Sequence, residues 1–189
     1  TYEGARSLVG PYLLLLGASA ATVGFVAGAG EFLGYGLRIA SGMLADRSRR
    51  YWLFVFLGYG VNLLAVPGLA LAGNWEAAIA LILLERLGKA IRSPARTTLV
   101  SYAARQHGTG KSFGLDEALD QLGAIAGPLL TACVIWTYQD AGTMTGYRIA
   151  FVVLLFPVLA NLLLLVKARW NFPDPSAFEP ETPAGFALD

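Results

Sequence analysis

Long stretches without a single charge constrain this chain more than any other feature. Residues 51–75, 121–139 and 149–166 contain no Asp, Glu, Lys or Arg, and neither do residues 7–30. A helix that crosses a bilayer needs about 20 mostly apolar residues, and a buried helix of a soluble domain is usually shorter. Only 14% of residues are charged against 56% hydrophobic, where a soluble domain carries about a quarter charged. A soluble enzyme, a nucleic-acid binder and a disordered scaffold are all poorly served by these numbers. The chain reads as a polytopic membrane protein.

The small residues Gly17-Ala18-Ser19-Ala20 divide the first charge-free run. The expected spans are then 1–16, 20–44, 51–72, 75–96, 115–136 and 147–166, together a bundle over residues 1–170. Arg47, Arg49 and Arg50 follow the second span, Arg105 and Lys111 the fourth, and Lys167 and Arg169 the sixth, whereas the other side holds only Arg148. That bias puts the loops after spans two, four and six in the cytoplasm of a multi-pass plasma (inner) membrane protein. Trp52, Trp75, Trp136 and Trp170 all fall at span ends, where an indole favours the headgroup layer. Residues 171–189 differ from the rest, with Pro173, Pro175, Pro180 and Pro183 alongside Asp174, Glu179, Glu181 and Asp189. They read as an acidic, proline-rich cytoplasmic linker or tail without chemistry of its own.

Several charges nonetheless fall inside the spans: Glu3, Arg6, Glu31, Arg38, Glu85, Arg86, Lys89, Arg92 and Asp120. Each costs about 2.5–3.5 kcal/mol at a bilayer centre, so they are expected to face one another or a wet cavity. At about 100° per residue, Gly24, Gly28, Glu31, Tyr35, Arg38 and Gly42 share one stripe. Glu85, Lys89, Arg92 and Arg96 share a second, and Asp116, Asp120, Gly123 and Gly127 a third. One reading makes these structural ion pairs, such as Glu31 with Arg38 or Glu85 with Lys89. The other makes the set a water-accessible pathway, and it is favoured because span four carries unbalanced positive charge that calls for carboxylates or an anionic ligand. Gly123 and Gly127 also form a GxxxG pattern, a common packing face, and Pro128 adds an expected kink.

With these residues in place, the chain resembles the N-terminal six-helix half of a major facilitator superfamily transporter. The segment Gly42-Met-Leu-Ala-Asp46-Arg47-Ser-Arg49-Arg50 is similar to the family's loop signature between helices two and three, with Arg49 where a second glycine is usual and Tyr51 in place of a final basic residue. The segment from Glu85 to Arg96 resembles the family's arginine-bearing helix four, with Arg86 in the arginine position. Gly114, Gly123, Gly127 and Pro128 follow the spacing of the helix-five signature of proton-coupled exporters, without its terminal glycine pair.

The resemblance implies an all-α polytopic membrane bundle of two inverted three-helix repeats with the first helix truncated. It implies secondary active transport by alternating access, in the form of proton-coupled export (efflux by a proton antiporter) of a small molecule. Glu3, Arg6, Glu31, Arg38, Glu85, Arg86, Lys89 and Asp120 are the candidates for coupling or the substrate pathway. Gly42, Asp46, Arg47 and Arg50 are the candidates for a gating loop, and Gly114, Gly123, Gly127 and Pro128 for the helix-five element. Expected partners are a small-molecule substrate, protons, the lipid bilayer, and a C-terminal transporter half or a second copy, since one half cannot enclose a pathway. The alternative is a non-transporting scaffold or receptor-like relative with the same fold. Neither cofactor, metal nor nucleic acid is expected, and no enzyme motif occurs. Gly110-Lys111-Ser112 imitates a phosphate loop, but Arg105 stands where its first glycine belongs, and His107 is isolated. Cys133 is the only cysteine, so there is no intrachain disulfide. The start at Thr1 without methionine suggests a partial chain.

Overall fold

The computed structural model describes residues 2–173, and within them the chain forms helices and no strand. Helix α1 spans Tyr2–Leu15, α2 Ala20–Ser48 and α3 Tyr51–Gly68, the last extended by a 3-10 turn at Leu69–Leu71. Helix α4 spans Trp75–His107, α5 Thr109–Thr137, α6 Thr143–Val153 and α7 Leu155–Asn171. Three rods, Tyr51–Leu71, Thr109–Thr137 and Thr143–Asn171, are by themselves long and apolar enough to cross a membrane. The acidic residues expected to form a tail beyond Pro173 lie outside the described residues, as do the side chains of Arg105 and His107.

Local chemistry accounts for the ends. Ser19 caps α2 by accepting from the Thr22 amide at 3.1 Å, and Asn74 caps α4 by accepting from the Ala77 amide at 2.8 Å. Helices α4 and α5 continue well beyond the apolar spans and are separated by Gly108 alone, whose φ of 90° suits glycine. Charge marks where lipid ends, whereas hydrogen bonding decides where a helix ends. The last rod is interrupted at Leu154 for a covalent reason. Pro157 has no N–H to give the Val153 carbonyl, so α6 stops there and α7 starts at Leu155.

Helix α1 packs on α5, while α4 packs on both α2 and α3, and α3 also meets α7. The α1–α5 and α4–α2 contacts are the pairs that a repeat mapping helix one onto four and two onto five requires. Glycines set how close these rods come. A Cβ at Gly4 would stand 3.0 Å from the Gly127 carbonyl oxygen, and one at Gly58 would stand 2.5 Å from the Gly88 oxygen. Two apolar cores result. One, around Tyr12, Leu13, Leu69 and Phe151, fills the end away from the arginine-rich Arg47–Arg50 segment; the other, around Tyr51, Phe54, Val55 and Tyr102, fills the basic end. Many remaining core positions are alanine, among them Ala65, Ala78, Ala90, Ala95 and Ala104, as expected where helices associate by close packing in lipid. The outer surface is apolar: Phe25, Phe32, Ile39, Leu64, Phe156 and Leu163 all point outward. Such a surface needs hydrocarbon around it.

Side chains from neighbouring helices take up backbone carbonyls that the helices leave open, one of them freed by a proline. Pro94 leaves the Ala90 carbonyl without its usual amide. The Ser41 hydroxyl of α2 donates to that oxygen at 2.7 Å in a buried contact. The Tyr12 hydroxyl of α1 donates to the carbonyls of Leu69 at 2.8 Å and Ala72 at 3.3 Å, closing the end of α3. Helix α4 therefore runs straight through Pro94 without ending.

Candidate functional site

Between the two apolar cores lies a seam of charge. Its centre is Glu31 on α2, whose carboxylate accepts a hydrogen bond from Arg86 on α4 and lies 3.5 Å from Arg6 on α1. Arg86 also reaches Glu85 through its Nε at 3.7 Å. The close passage of α4 makes this possible, since a methyl on Gly30 would touch the Arg86 Cγ at 3.7 Å. Arg86 is 13% exposed and Glu31 34%, so the pair is partly shielded within the bundle. Glu85 is buried, and its Oε1 has no hydrogen-bond partner among the described residues.

A second ionic group ties α4 to α5. Arg96 lies 2.5 Å from Asp116 Oδ1 and 3.5 Å from Asp120 Oδ2. Arg92, one turn earlier, sits with its guanidinium carbon 4.3 Å from the Tyr59 ring centroid, a cation–π contact. These side chains border two cavities. One, of about 400 Å³, is lined by Glu3, Lys89, Arg92, Ser93, Asp120 and Gln121 among others. The second, of about 320 Å³, is bordered by Asn62, Val158 and Asn161, and shares Tyr59, Arg92, Arg96 and Asp120 with the first. Nearer α1, a smaller space of about 220 Å³ is walled by Arg6, Glu31 and Arg86 within apolar residues. No group of three or more potential metal ligands occurs among the described residues.

The sequence-based candidates thus separate. Arg6, Glu31, Glu85 and Arg86 come together, and Glu3, Lys89 and Asp120 meet at the larger cavity. Arg38 makes no ion pair with either group among the described residues but lies near enough to Lys89 to act on its charge, half-buried on α2 with its guanidinium carbon 4.9 Å from the Tyr35 ring centroid. The α2 stripe expected from Gly24 to Gly42 is only partly internal. Nothing approaches Gly24 or Gly28 within 4 Å of a Cβ, and Tyr35 is exposed. The buried line on α2 is Val26, Gly30, Ser41 and Ala45, so Glu31 stands at its rim. Glu31 takes its partners from α1 and α4, because residues seven apart on one helix stand about 10 Å apart along its axis.

Of the loop signature, Gly42 packs on Pro94, and Asp46, Arg47 and Arg50 are exposed at the end of α2. Arg49 adopts a left-handed φ of 53° and caps the helix through its amide to the Ala45 carbonyl at 2.8 Å. Glycine takes that conformation without strain, so the backbone explains why similar loops carry glycine there. In the helix-five element, Gly127 makes the close contact with Gly4, Gly123 lines the larger cavity, and Gly114 is open on all sides. Thr131 sends its hydroxyl back to the Gly127 and Pro128 carbonyls at 3.3 and 3.0 Å. Periodicity gives Arg92, Arg96 and Asp116 their faces but leaves Tyr59, Asn62 and all pairing unassigned. Gly58 and Gly88, among bulky neighbours, are the sequence signal for a close approach of α3 and α4, though Gly60 nearby carries the same signal without a contact.

An all-α bundle with an apolar coat, internal ion pairs and a polar cleft is the make-up of a membrane-embedded protein. Residues 3–187 match the Major Facilitator Superfamily, and the chain belongs to that family of membrane transporters, which are not enzymes. Uncharacterised proteins of Mycobacterium tuberculosis and Mycobacterium bovis are 46% identical over 178 residues, covering 94% of this chain and 42% of each relative. An uncharacterised MFS-type transporter of Methanocaldococcus jannaschii is 31% identical over 150 residues, 79% of this chain and 36% of the relative. A multidrug resistance protein of Photorhabdus laumondii is 36% identical over 116 residues, 61% of this chain and 28% of that protein. The chain thus spans about two fifths of the length of the mycobacterial relatives it matches. No solved structure matches it.

Proposed function

We propose that this chain forms the N-terminal six-helix part of a secondary active transporter that works by alternating access and couples proton entry to export of a small molecule. A C-terminal half, or a second copy, supplies the other wall of the pathway. The observation that carries this reading is the Glu31 carboxylate, held midway along α2 between Arg86 and Arg6 and only partly buried. A carboxylate bridging three helices is neutralised when protonated. Loss of its charge weakens the hold of α2 on α1 and α4, so protonation and helix movement are linked. Asp120, exposed beside Arg96, is a second coupling candidate at the α4–α5 contact. Glu3 at the larger cavity is a third.

The positive-inside pattern supports a cytoplasmic position for the Arg47–Arg50 end, where Gly42, Asp46, Arg47 and Arg50 serve as the gate. The name of the Photorhabdus laumondii relative supports export. The test is pH-driven solute flux by the full-length protein in proteoliposomes. Glu31→Gln is expected to lower flux driven by a pH gradient by tenfold or more, about 1.4 kcal/mol, while exchange without a gradient persists. Unchanged pH-driven flux in both Glu31→Gln and Asp120→Asn refutes the coupling assignment. No flux of any solute in the unaltered protein refutes transport and leaves a scaffold or receptor-like role.

A further inference from the structure

Arg92 on α4 stands at the cavities without an ion pair among the described residues. Arg86 is met by Glu31 and Glu85, and Arg96 by Asp116 and Asp120. Arg92 lies midway along α4 and makes no ion pair or hydrogen bond among the described residues. Its guanidinium rests on the Tyr59 ring, and its buried Nε has no acceptor. A guanidinium in such a place is costly unless an anion reaches it. Arg92 borders both the 400 Å³ and the 320 Å³ cavities, so space for that anion lies directly beside it. Across the second cavity, Asn62 is 7% exposed and its Oδ1 also has no partner.

We infer that Arg92 is the anchor of a binding site for small organic monocarboxylates, with the planar guanidinium facing the carboxylate and the apolar body lying against Leu119, Val158 and Leu165. The residue types define the ligand. A guanidinium fork matches a carboxylate in shape and hydrogen bonding. Glu3, Glu117 and Asp120 line the larger cavity together with Lys89, Arg92 and Arg96, so its formal charges balance and a ligand of low charge suits it better than a multiply charged one. Both linings are mainly polar or charged, and Leu119, Val158 and Leu165 give the body of the ligand only a few apolar contacts, so that body is small. This assignment names a substrate class for the proposed transporter and rests on that reading for its physiological meaning, though binding itself is measurable without transport.

The test uses the full-length protein in nanodiscs, with Ser93→Cys placed at the cavity wall and the native cysteines, Cys133 included, changed to serine. Alkylation by N-ethylmaleimide is timed with benzoate, benzamide or benzylamine at one ionic strength. Benzoate at ten times its Kd is expected to slow alkylation about tenfold, the fraction of empty sites left, while benzamide and benzylamine leave it unchanged. Arg92→Gln is expected to remove the protection, raising the Kd for benzoate by about tenfold or more, and Arg92→Lys to restore part of it. Protection is read within each variant as the ratio of rates with and without ligand, because the Arg92 charge beside the reporter thiol alters its reactivity, and an unchanged Tm shows that both variants keep the fold. Equal protection by benzamide, protection by benzylamine instead, or full protection in Arg92→Gln each overturns the site. Proton-driven flux of another solute without benzoate protection refutes the ligand class and leaves transport standing. Protection without any flux does the reverse.

Discussion

The contact between α3 and α4 gives the sharpest test of how this bundle is built. A methyl group at Gly58 would lie 2.5 Å from both the Gly88 carbonyl oxygen and the Arg92 Cβ, and 3.0 Å from the Arg92 nitrogen. Two of those three atoms are backbone, so the strain cannot be relieved by turning a side chain, and the helices must part. Overpacking of this kind costs about 1–3 kcal/mol, and backbone obstruction puts Gly58→Ala near the upper end. Alanine returns about 1 kcal/mol in helix propensity, which leaves a net loss of about 2 kcal/mol. Gly60, two residues on in the same helix, has nothing within 4 Å of its Cβ, so Gly60→Ala keeps the propensity gain without the clash. For a bundle of this size, 2 kcal/mol corresponds to about 4–8 °C in Tm. Thermal unfolding of the purified protein in one detergent is therefore expected to place Gly58→Ala several degrees below the unaltered protein and Gly60→Ala at or above it. Equal Tm values for the two variants would falsify the close approach of α3 and α4. The same substitution pushes on the Arg92 backbone, so the larger cavity is expected to change shape along with stability.

Other expectations follow from single contacts. Arg49→Gly relieves the left-handed strain at the end of α2 and is expected to raise stability by about 1 kcal/mol, read as a higher Tm; a fall refutes the cap geometry. Ser41→Ala strips the buried Ala90 carbonyl of its donor and is expected to cost about 1–2 kcal/mol. In Pro94→Ala the restored amide takes that carbonyl, so the same serine change is expected to cost much less, and additive losses rule out the compensation. A double-mutant cycle on Arg96→Ala and Asp116→Ala, scored by stability, is expected to give a coupling of about 0.5–1 kcal/mol because both side chains are partly exposed. No coupling means that the pair does not join α4 to α5.

The sequence by itself determined the solvent, the helical class and the family resemblance. Charge-free runs such as residues 51–75 admit few soluble folds, because their backbone and side chains are compatible with hydrocarbon over a full bilayer width. The polar faces of α4 and α5 were legible too, since periodicity along one helix is a local property. Partners were not legible, because pairing depends on where two helices cross and how near they come. Glu31 meets Arg86 because α4 passes close to Gly30, and Arg92 borders two cavities because Gly58 and Gly88 let α3 and α4 touch. The same distinction governs how α4 continues past its proline. Apolar residues showed where lipid ends, but the hydroxyl of Ser41 on another helix takes up the carbonyl that Pro94 leaves open. Composition and period fixed which side chains this chain carries into the membrane and on which face. The tertiary structure alone decided which of those charges meet and which, like Arg92, border open space, since attraction between charges depends on distances that only the packed helices set.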